Sequence, residues 1–268
     1  MNNSNYNRVA VLLIGELRTW KHSSKYIINA LNSVAEKVDW YLVTWDIDES
    51  SGEPIHIVDE DVLLPFQENN IEPTSYKILP TIGKQRSTFY NNAWLSKVAN
   101  ILKRDVECNE EFVYDNVIEC RVDLYVKKNN TNLQPCQEFE LIGPSAGNLN
   151  GIMASADLYF RSGSYTNDIL SNRYRSRPAK NHYTMVSQVY QKFNDHHWVL
   201  NQYIKSKFLD VLNVRDSTMI PFRDNFPTDK NLDDMPFTDI DNLFRSFKKI
   251  WNERKFNLTN NNSPLNDF

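Results

Sequence analysis

Glycine is scarce in this chain, with seven in 268 residues. The turn after the first apolar run, Gly15-Glu16-Leu17-Arg18-Thr19, is too short and too poor in glycine for a triphosphate-cradling loop, which argues against a nucleotidyltransferase. Cysteine is scarcer still. Cys108, Cys120 and Cys136 form no C-x-x-C pair and have no histidine at metal spacing, so a disulfide framework and a zinc site are both excluded, and the three read as buried thiols in a reducing compartment. No apolar run approaches the ~20 residues needed to span a bilayer. The polar opening Met1-Asn2-Asn3-Ser4-Asn5 does not read as a secretory leader, so the expected location is cytoplasmic. A surplus of positive charge is missing as well. The formal net charge is -4, which argues against non-specific binding to nucleic acid.

What remains is an ordinary globular composition, 41% apolar and 24% charged, long enough to bury a large core. Basic residues gather locally at Arg161, Arg173, Arg175, Arg177 and Lys180, either as a solvated helix end or loop or as a contact for a diphosphate or anionic acceptor. A strand over 9–14, a helix over 23–37 and a strand over 39–45 together make a βαβ unit, the building block of a parallel sheet. Short extended segments at 55–58 and 75–79 bracket a weak helix over 60–68. A longer helix over 85–105 carries Phe89, Ala93, Trp94, Val98, Ile101 and Leu102 on one face. The pattern then predicts one central strand over 113–125, strands at 139–142 and 157–161 around a glycine-containing loop (143–151), and helices over 165–174 and 195–207. A late strand over 209–214 and a terminal amphipathic helix over 237–254 complete the chain. One domain over 1–256 is expected, with halves at about 8–126 and 139–256, followed by a polar tail at 257–268.

Two strand ends carry chemistry. The first run, Arg8 to Ile14, breaks at Gly15 and then offers Glu16, Arg18 and Thr19. The second, Val117-Ile118-Glu119-Cys120, drives into Arg121-Val122-Asp123. Open α/β sheets place ligands at such rims, and two of them suggest a bound anion or sugar nucleotide. Arg18 is a clamp for phosphate or a surface arginine capping a helix; Arg86, leading the 85–105 helix, is a second cation of the same kind.

The order of these pieces resembles a known family. An apolar strand ends in Gly-x-x-Arg-Thr, a second strand ends in Thr44-Trp45-Asp46, and a helix is led by Gln85-Arg86-Ser87-Thr88. Then come Tyr114 to Leu124 with its Arg-x-Asp, and Ala156-Asp157-Leu158-Tyr159-Phe160-Arg161-Ser162-Gly163. Over roughly residues 8–205 the chain is similar to the small GT-A-type glycosyltransferases of bacterial surface-polysaccharide clusters and large viruses, including the WavE-like lipopolysaccharide synthesis proteins.

The resemblance implies an α/β, GT-A-like (Rossmann-like) fold: a mixed, mainly parallel sheet with helices on both faces and a helical C-terminal part. It implies a nucleotide-sugar donor, most simply a UDP-sugar, and a saccharide or glycan acceptor. Gly15, Glu16, Arg18 and Thr19 would meet the nucleotide and its phosphates, and Thr44, Trp45 and Asp46 would lie near base and ribose. Arg86 and Arg121 would add positive charge. Asp123 would hold a divalent cation, Mn²⁺ or Mg²⁺, although Arg121 stands where the family's Asp-x-Asp has its first acid. A lone carboxylate is a poor site for a hard cation, so either Arg121 itself neutralises phosphate or Asp123 finds a distant partner such as His196 or His197. Asp46-Ile47-Asp48 spells a literal Asp-x-Asp, but it comes too early for the metal position, with Asp48 expected in solvent. An inverting enzyme needs a carboxylate base, for which Asp157 and Asp195 are candidates, the latter alternatively a helix N-cap. On this reading Asp123→Ala removes turnover and leaves the melting temperature nearly unchanged. The rival reading is a non-catalytic carbohydrate-binding or assembly protein on a degenerate transferase fold.

Overall fold

A computed structural model describes residues 8–48, 54–83, 88–126, 134–136, 140–144, 159–171, 210–214 and 219–221, and the single positions 231, 235 and 239. Arg8–Ile14 forms β1, an almost wholly buried strand whose alternate residues feed two cores. Val9, Val11 and Leu13 face one side of the sheet, where helix α1 (Trp20–Leu31) and helix α2 (Asp59–Glu68) bury Trp20, Ile27, Leu31, Val62 and Phe66. Ala10, Leu12 and Ile14 face the other side, under Leu95 and Ala99 of α3 (Thr88–Asn109). Helices therefore cover both faces of the sheet.

The remaining strands are β2 (Lys37–Trp45), the short antiparallel pair β3 (Ile47–Asp48) and β4 (Ile55–His56), β5 (Ser75–Leu79), β6 (Asn116–Arg121), β7 (Leu124–Val126), β8 (Glu140–Pro144), β9 (Tyr159–Ser162), β10 (Asp210–Val214) and β11 (Met219–Pro221). Seven of them make one sheet in the order β10-β8-β9-β6-β1-β2-β5. β6, β1, β2 and β5 run parallel, β10 runs parallel to β8, and only β9 is antiparallel to its neighbours β6 and β8. This is the expected α/β class: a mixed, mainly parallel sheet. From β1 the chain moves outward to β2 and β5, then returns to place β6 on the other side of β1. The strand order thus reverses between β1 and β6, and their carboxyl ends share one edge.

Two expectations need correction. The segment 113–125 is not one strand. β6 stops at Arg121, a turn follows at Val122 and Asp123, and Leu124–Val126 leaves the sheet to pair antiparallel with β11. There Tyr125 packs edge-on against Tyr26 of α1, ring centroids 5.2 Å apart. The face assigned to α3 is also rotated. Trp94 and Ile101 are 43% and 45% exposed, and the inward stripe carries Leu95, Ser96, Ala99, Asn100, Lys103 and Glu107.

Most polar groups of that stripe find partners inside the protein, which is why periodicity of apolar residues missed them. Ser96 donates its hydroxyl to Glu119 of β6. The fully buried Lys103 ammonium lies 3.2 Å from both Glu107 and Asp168 and donates to Ser164, on helix α4 (Ser164–Ser171). At the amino ends of the strands Arg8 pairs with Asp39 and Glu110 and stacks 3.8 Å over Phe112. Tyr114 donates to Asp39 at 2.8 Å and lies 2.7 Å from the Tyr41 hydroxyl. Of the cysteines only Cys120 is buried; Cys136 is half-buried and Cys108 exposed, contrary to the expectation of three buried thiols.

The helix expected over 195–207, that over 237–254 except for position 239, the loop residues 145–150, the basic residues Arg173 to Lys180 and the tail 257–268 lie outside the described residues, as do Arg86, Asp157, Asp195, His196 and His197.

Candidate functional site

β1 ends at Gly15, which the backbone requires: its φ is +130°, a region that side-chain-bearing residues rarely enter. A Cβ there would also touch Val122 Cγ2 at 3.4 Å. The Gly15 amide donates to the Val43 carbonyl of β2 at 3.3 Å. On the other side of β1 the Val122 amide donates to the Ile14 carbonyl at 3.1 Å, extending the β1–β6 ladder by one bond beyond the strand. The Ser23 hydroxyl of α1 in turn donates to the Val122 carbonyl. The glycine turn, the first turns of α1 and the Val122–Asp123 turn are therefore tied into one rim at the β1–β6 reversal.

On this rim sit three charged side chains. Arg121 donates from Nε to Oδ1 of Asp123 at 2.8 Å and from Nη2 to Oδ2. Arg18, from the turn after Gly15, brings Nη2 within 3.5 Å of the same Oδ2. Asp123 is 1% exposed, whereas the Arg18 side chain is 27% exposed. Within this cluster two guanidiniums face one carboxylate, with the Glu16 carboxylate on the same turn as Arg18. The Arg18 contact is longer than the ~2.7–2.9 Å of a charge-assisted hydrogen bond, so it is an electrostatic tether rather than a fixed bond.

Thr19 is the N-cap of α1. Its hydroxyl is buried, makes no capping bond and has no hydrogen-bond partner among the described residues. Glu16 is half-buried beside it.

The end of β2 is the next position along the edge. Thr44 and Trp45 are buried, Trp45 among the core residues under α3, so as placed they support the rim rather than face solvent. Asp46 is the residue that emerges. Its Oδ1 accepts from the Thr81 amide at 2.7 Å and from the Thr81 hydroxyl. The Thr81 hydroxyl, followed by its amide, holds the Asp46 carboxyl below the usual range. Asp48, expected in solvent, is buried on β3 because the β3–β4 hairpin folds over it. The literal Asp-x-Asp is thus two carboxylates with separate structural employment. Asp46 and Arg121 are two strands apart, about 10 Å of sheet.

Cys120, one residue before Arg121, is no nucleophile: burial, then the neighbouring Asp123 charge, pushes its thiol up. Among the described residues no group of three His, Cys, Asp or Glu side chains could hold a metal ion.

The structure places Gly15, Arg18, Arg121 and Asp123 at one rim, together with Ser23 and Val122, and sets Thr81 against Asp46; the last three are absent from the sequence reading of the site. Thr81 had a signal, since it directly follows a strand (75–79) whose parallel pairing ends at the same edge. Ser23 and Val122 act through a hydroxyl and a main-chain carbonyl, for which sequence offers no pattern.

A mainly parallel α/β sheet with charged side chains at the carboxyl ends of β1 and β6, where strand order reverses, has them at the edge where open α/β proteins generally bind ligands. No protein-family model matches the sequence, and no curated protein matches it. Among solved structures the chain is similar to the glycosyltransferase GlyE of Streptococcus pneumoniae TIGR4, with a TM-score of 0.43 and 12% identity over 90% of this chain and 64% of that one. The apo form of GlyE gives 0.44 and 11% over 90% and 63%. The chain thus spans a little under two thirds of the length of those structures, and a likeness at this level carries no functional argument by itself. No helix among the described residues is long and apolar enough to cross a membrane.

Proposed function

We propose that this chain is a glycosyltransferase that moves a sugar from a nucleotide-sugar donor, a UDP-sugar, to a saccharide or glycan acceptor in the cytoplasm. The observation that carries the reading is the convergence of Arg18 and Arg121 at the β1–β6 reversal, beside the glycine turn that ends β1. Glycosyl transfer from such a donor expels a nucleoside diphosphate, and charge builds on its phosphate as the glycosidic bond breaks. Guanidiniums already in place at that point stabilise the transition state more than the ground state. Gly15 makes the turn that presents Arg18 to the diphosphate, Thr19 offers its hydroxyl, and Glu16 and Asp46 accept hydrogen bonds from the sugar or ribose. Thr44 and Trp45 hold Asp46 in register. Asp157 or Asp195 supplies the base if the enzyme inverts, and Arg86 adds charge at the rim.

The second reading, a carbohydrate-binding or assembly protein without turnover, is favoured by one feature: an arginine stands at the first position of the acidic motif. Mass spectrometry of the chain incubated with a panel of nucleotide sugars and free oligosaccharides separates the two. A glycosylated oligosaccharide supports the transferase; retained oligosaccharide binding with no product from any donor supports the rival.

A further inference from the structure

We infer that the strand-edge site takes a nucleoside diphosphate without a divalent cation on Asp123, its charge being met by Arg18 and Arg121, with Asp123 as the internal counter-ion that positions them. The inference rests on the reading of the chain as a user of nucleotide sugars. It follows from the donor set. Hard cations such as Mn²⁺ and Mg²⁺ require several oxygen ligands at about 2.0–2.6 Å. Both oxygens of Asp123 already accept from guanidinium nitrogens, and the residue is 1% exposed. A dication on either oxygen would sit within a few ångström of two guanidinium charges. Nearby side chains do not repair the deficit: Val122 is apolar, the Ser23 hydroxyl is spent on the Val122 carbonyl, and although Glu16 on the Gly15 turn is a further carboxylate, no group of three His, Cys, Asp or Glu side chains among the described residues is placed to hold an ion. Asp46 lies across β1 and is engaged by Thr81. The residues present fit an anion and not a metal.

The two arginines then have different tasks. Arg121, locked two-pronged onto Asp123, is a fixed charge beneath the ligand. Arg18, partly exposed and 3.5 Å from its counter-ion, is the mobile one: a phosphate oxygen competes for it at little cost. Asp123 is a positioning residue. It holds Arg121 in one orientation and lowers the repulsion between two adjacent guanidiniums before the ligand arrives. The α1 N-terminus and the unspent Thr19 hydroxyl add to the same preference for an anion.

Calorimetric titration of the full chain with UDP and with inorganic pyrophosphate, each in EDTA and again in MnCl₂, tests this. Expected are binding of both in EDTA, a change of less than about threefold on adding Mn²⁺, and a loss of about tenfold in Arg18→Gln. Asp123→Asn, which keeps the shape and deletes the carboxylate a cation would need, is expected still to bind pyrophosphate in EDTA, with no gain on adding Mn²⁺. Because Asp123 is buried, Arg18→Gln at the surface keeps the test open if that variant does not fold. UDP binding that requires Mn²⁺ and vanishes in Asp123→Asn overturns the inference and leaves the donor reading standing. Pyrophosphate binding in EDTA without UDP binding keeps the anion site and overturns the nucleotide reading. Absence of binding by either, with or without Mn²⁺, overturns both.

Discussion

Arg121 and Asp123, two residues apart on the turn that ends β6, face each other through two parallel hydrogen bonds, Nε to Oδ1 at 2.8 Å and Nη2 to Oδ2. The pair closes across the turn at Val122 and Asp123, and it brings a carboxylate under the rim where Arg18 reaches it. The same contact shapes the fold and sets the charge of the site.

Asp123→Ala is therefore expected to lower stability, contrary to the sequence-based expectation of an unchanged melting temperature. Removing one partner from a buried ion network leaves the others unpaired, at about 3 kcal/mol, or about 6–12 °C for a domain of this size. Thermal unfolding checks it, and a variant melting within a degree of the parent would remove Asp123 from any structural role.

Gly15→Ala places a Cβ at φ +130°, at contact distance from Val122. The strain is on the order of 1–3 kcal/mol, and relieving it moves the turn that carries Arg18. Denaturant unfolding is expected to show the loss, and UDP affinity is expected to fall with it. Unchanged affinity would mean that the turn does not touch the ligand.

Thr81 holds Asp46 in its charged form, so the sign of the pH effect is fixed. The folded carboxyl titrates below its unfolded value. The stability it contributes is present above the unfolded value, about 3.9, and is lost as pH falls through the depressed folded value. In Thr81→Val, carbon-detected NMR titration of Asp46 is expected to move upward toward the ordinary range. No movement would show that the hydroxyl is not the cause.

Lys103 offers a control far from the rim. Lys103→Met takes the cation from the buried Glu107, while the half-buried Asp168 keeps Arg104, at about 3 kcal/mol. Its UDP affinity at a temperature where it is folded is expected to match the parent. Adding Asp168→Asn is expected to recover part of the stability, as measured by a double-mutant cycle.

Much of this architecture is legible in the chain because parallel strands are continuous apolar runs. The segments Arg8–Ile14, Lys37–Trp45 and Ser75–Leu79 announce themselves by composition, and their common direction follows from the intervening helices. The early end of β6 does not, since Val122, Leu124, Tyr125 and Val126 are as strand-like as the residues before them. Their departure from the sheet depends on β11, nearly a hundred residues away, and on a local ion pair. The inward face of α3 is hidden for a related reason: Ser96, Asn100, Lys103 and Glu107 are buried against polar partners on β6, α4 and α3 itself, which hydrophobic periodicity does not register. At the site, residue types and strand ends suffice to gather Arg18, Arg121 and Asp123. That the acid is spent on the arginines, and Asp46 on Thr81, is a matter of side-chain geometry.

The central claim is tested most directly by release of free UDP from a panel of UDP-sugars in EDTA, with Arg121→Gln run alongside. The account predicts release from at least one donor and its loss in the variant. A folded chain that releases no UDP from any donor, with saccharide acceptors and Mn²⁺ also supplied, would contradict it.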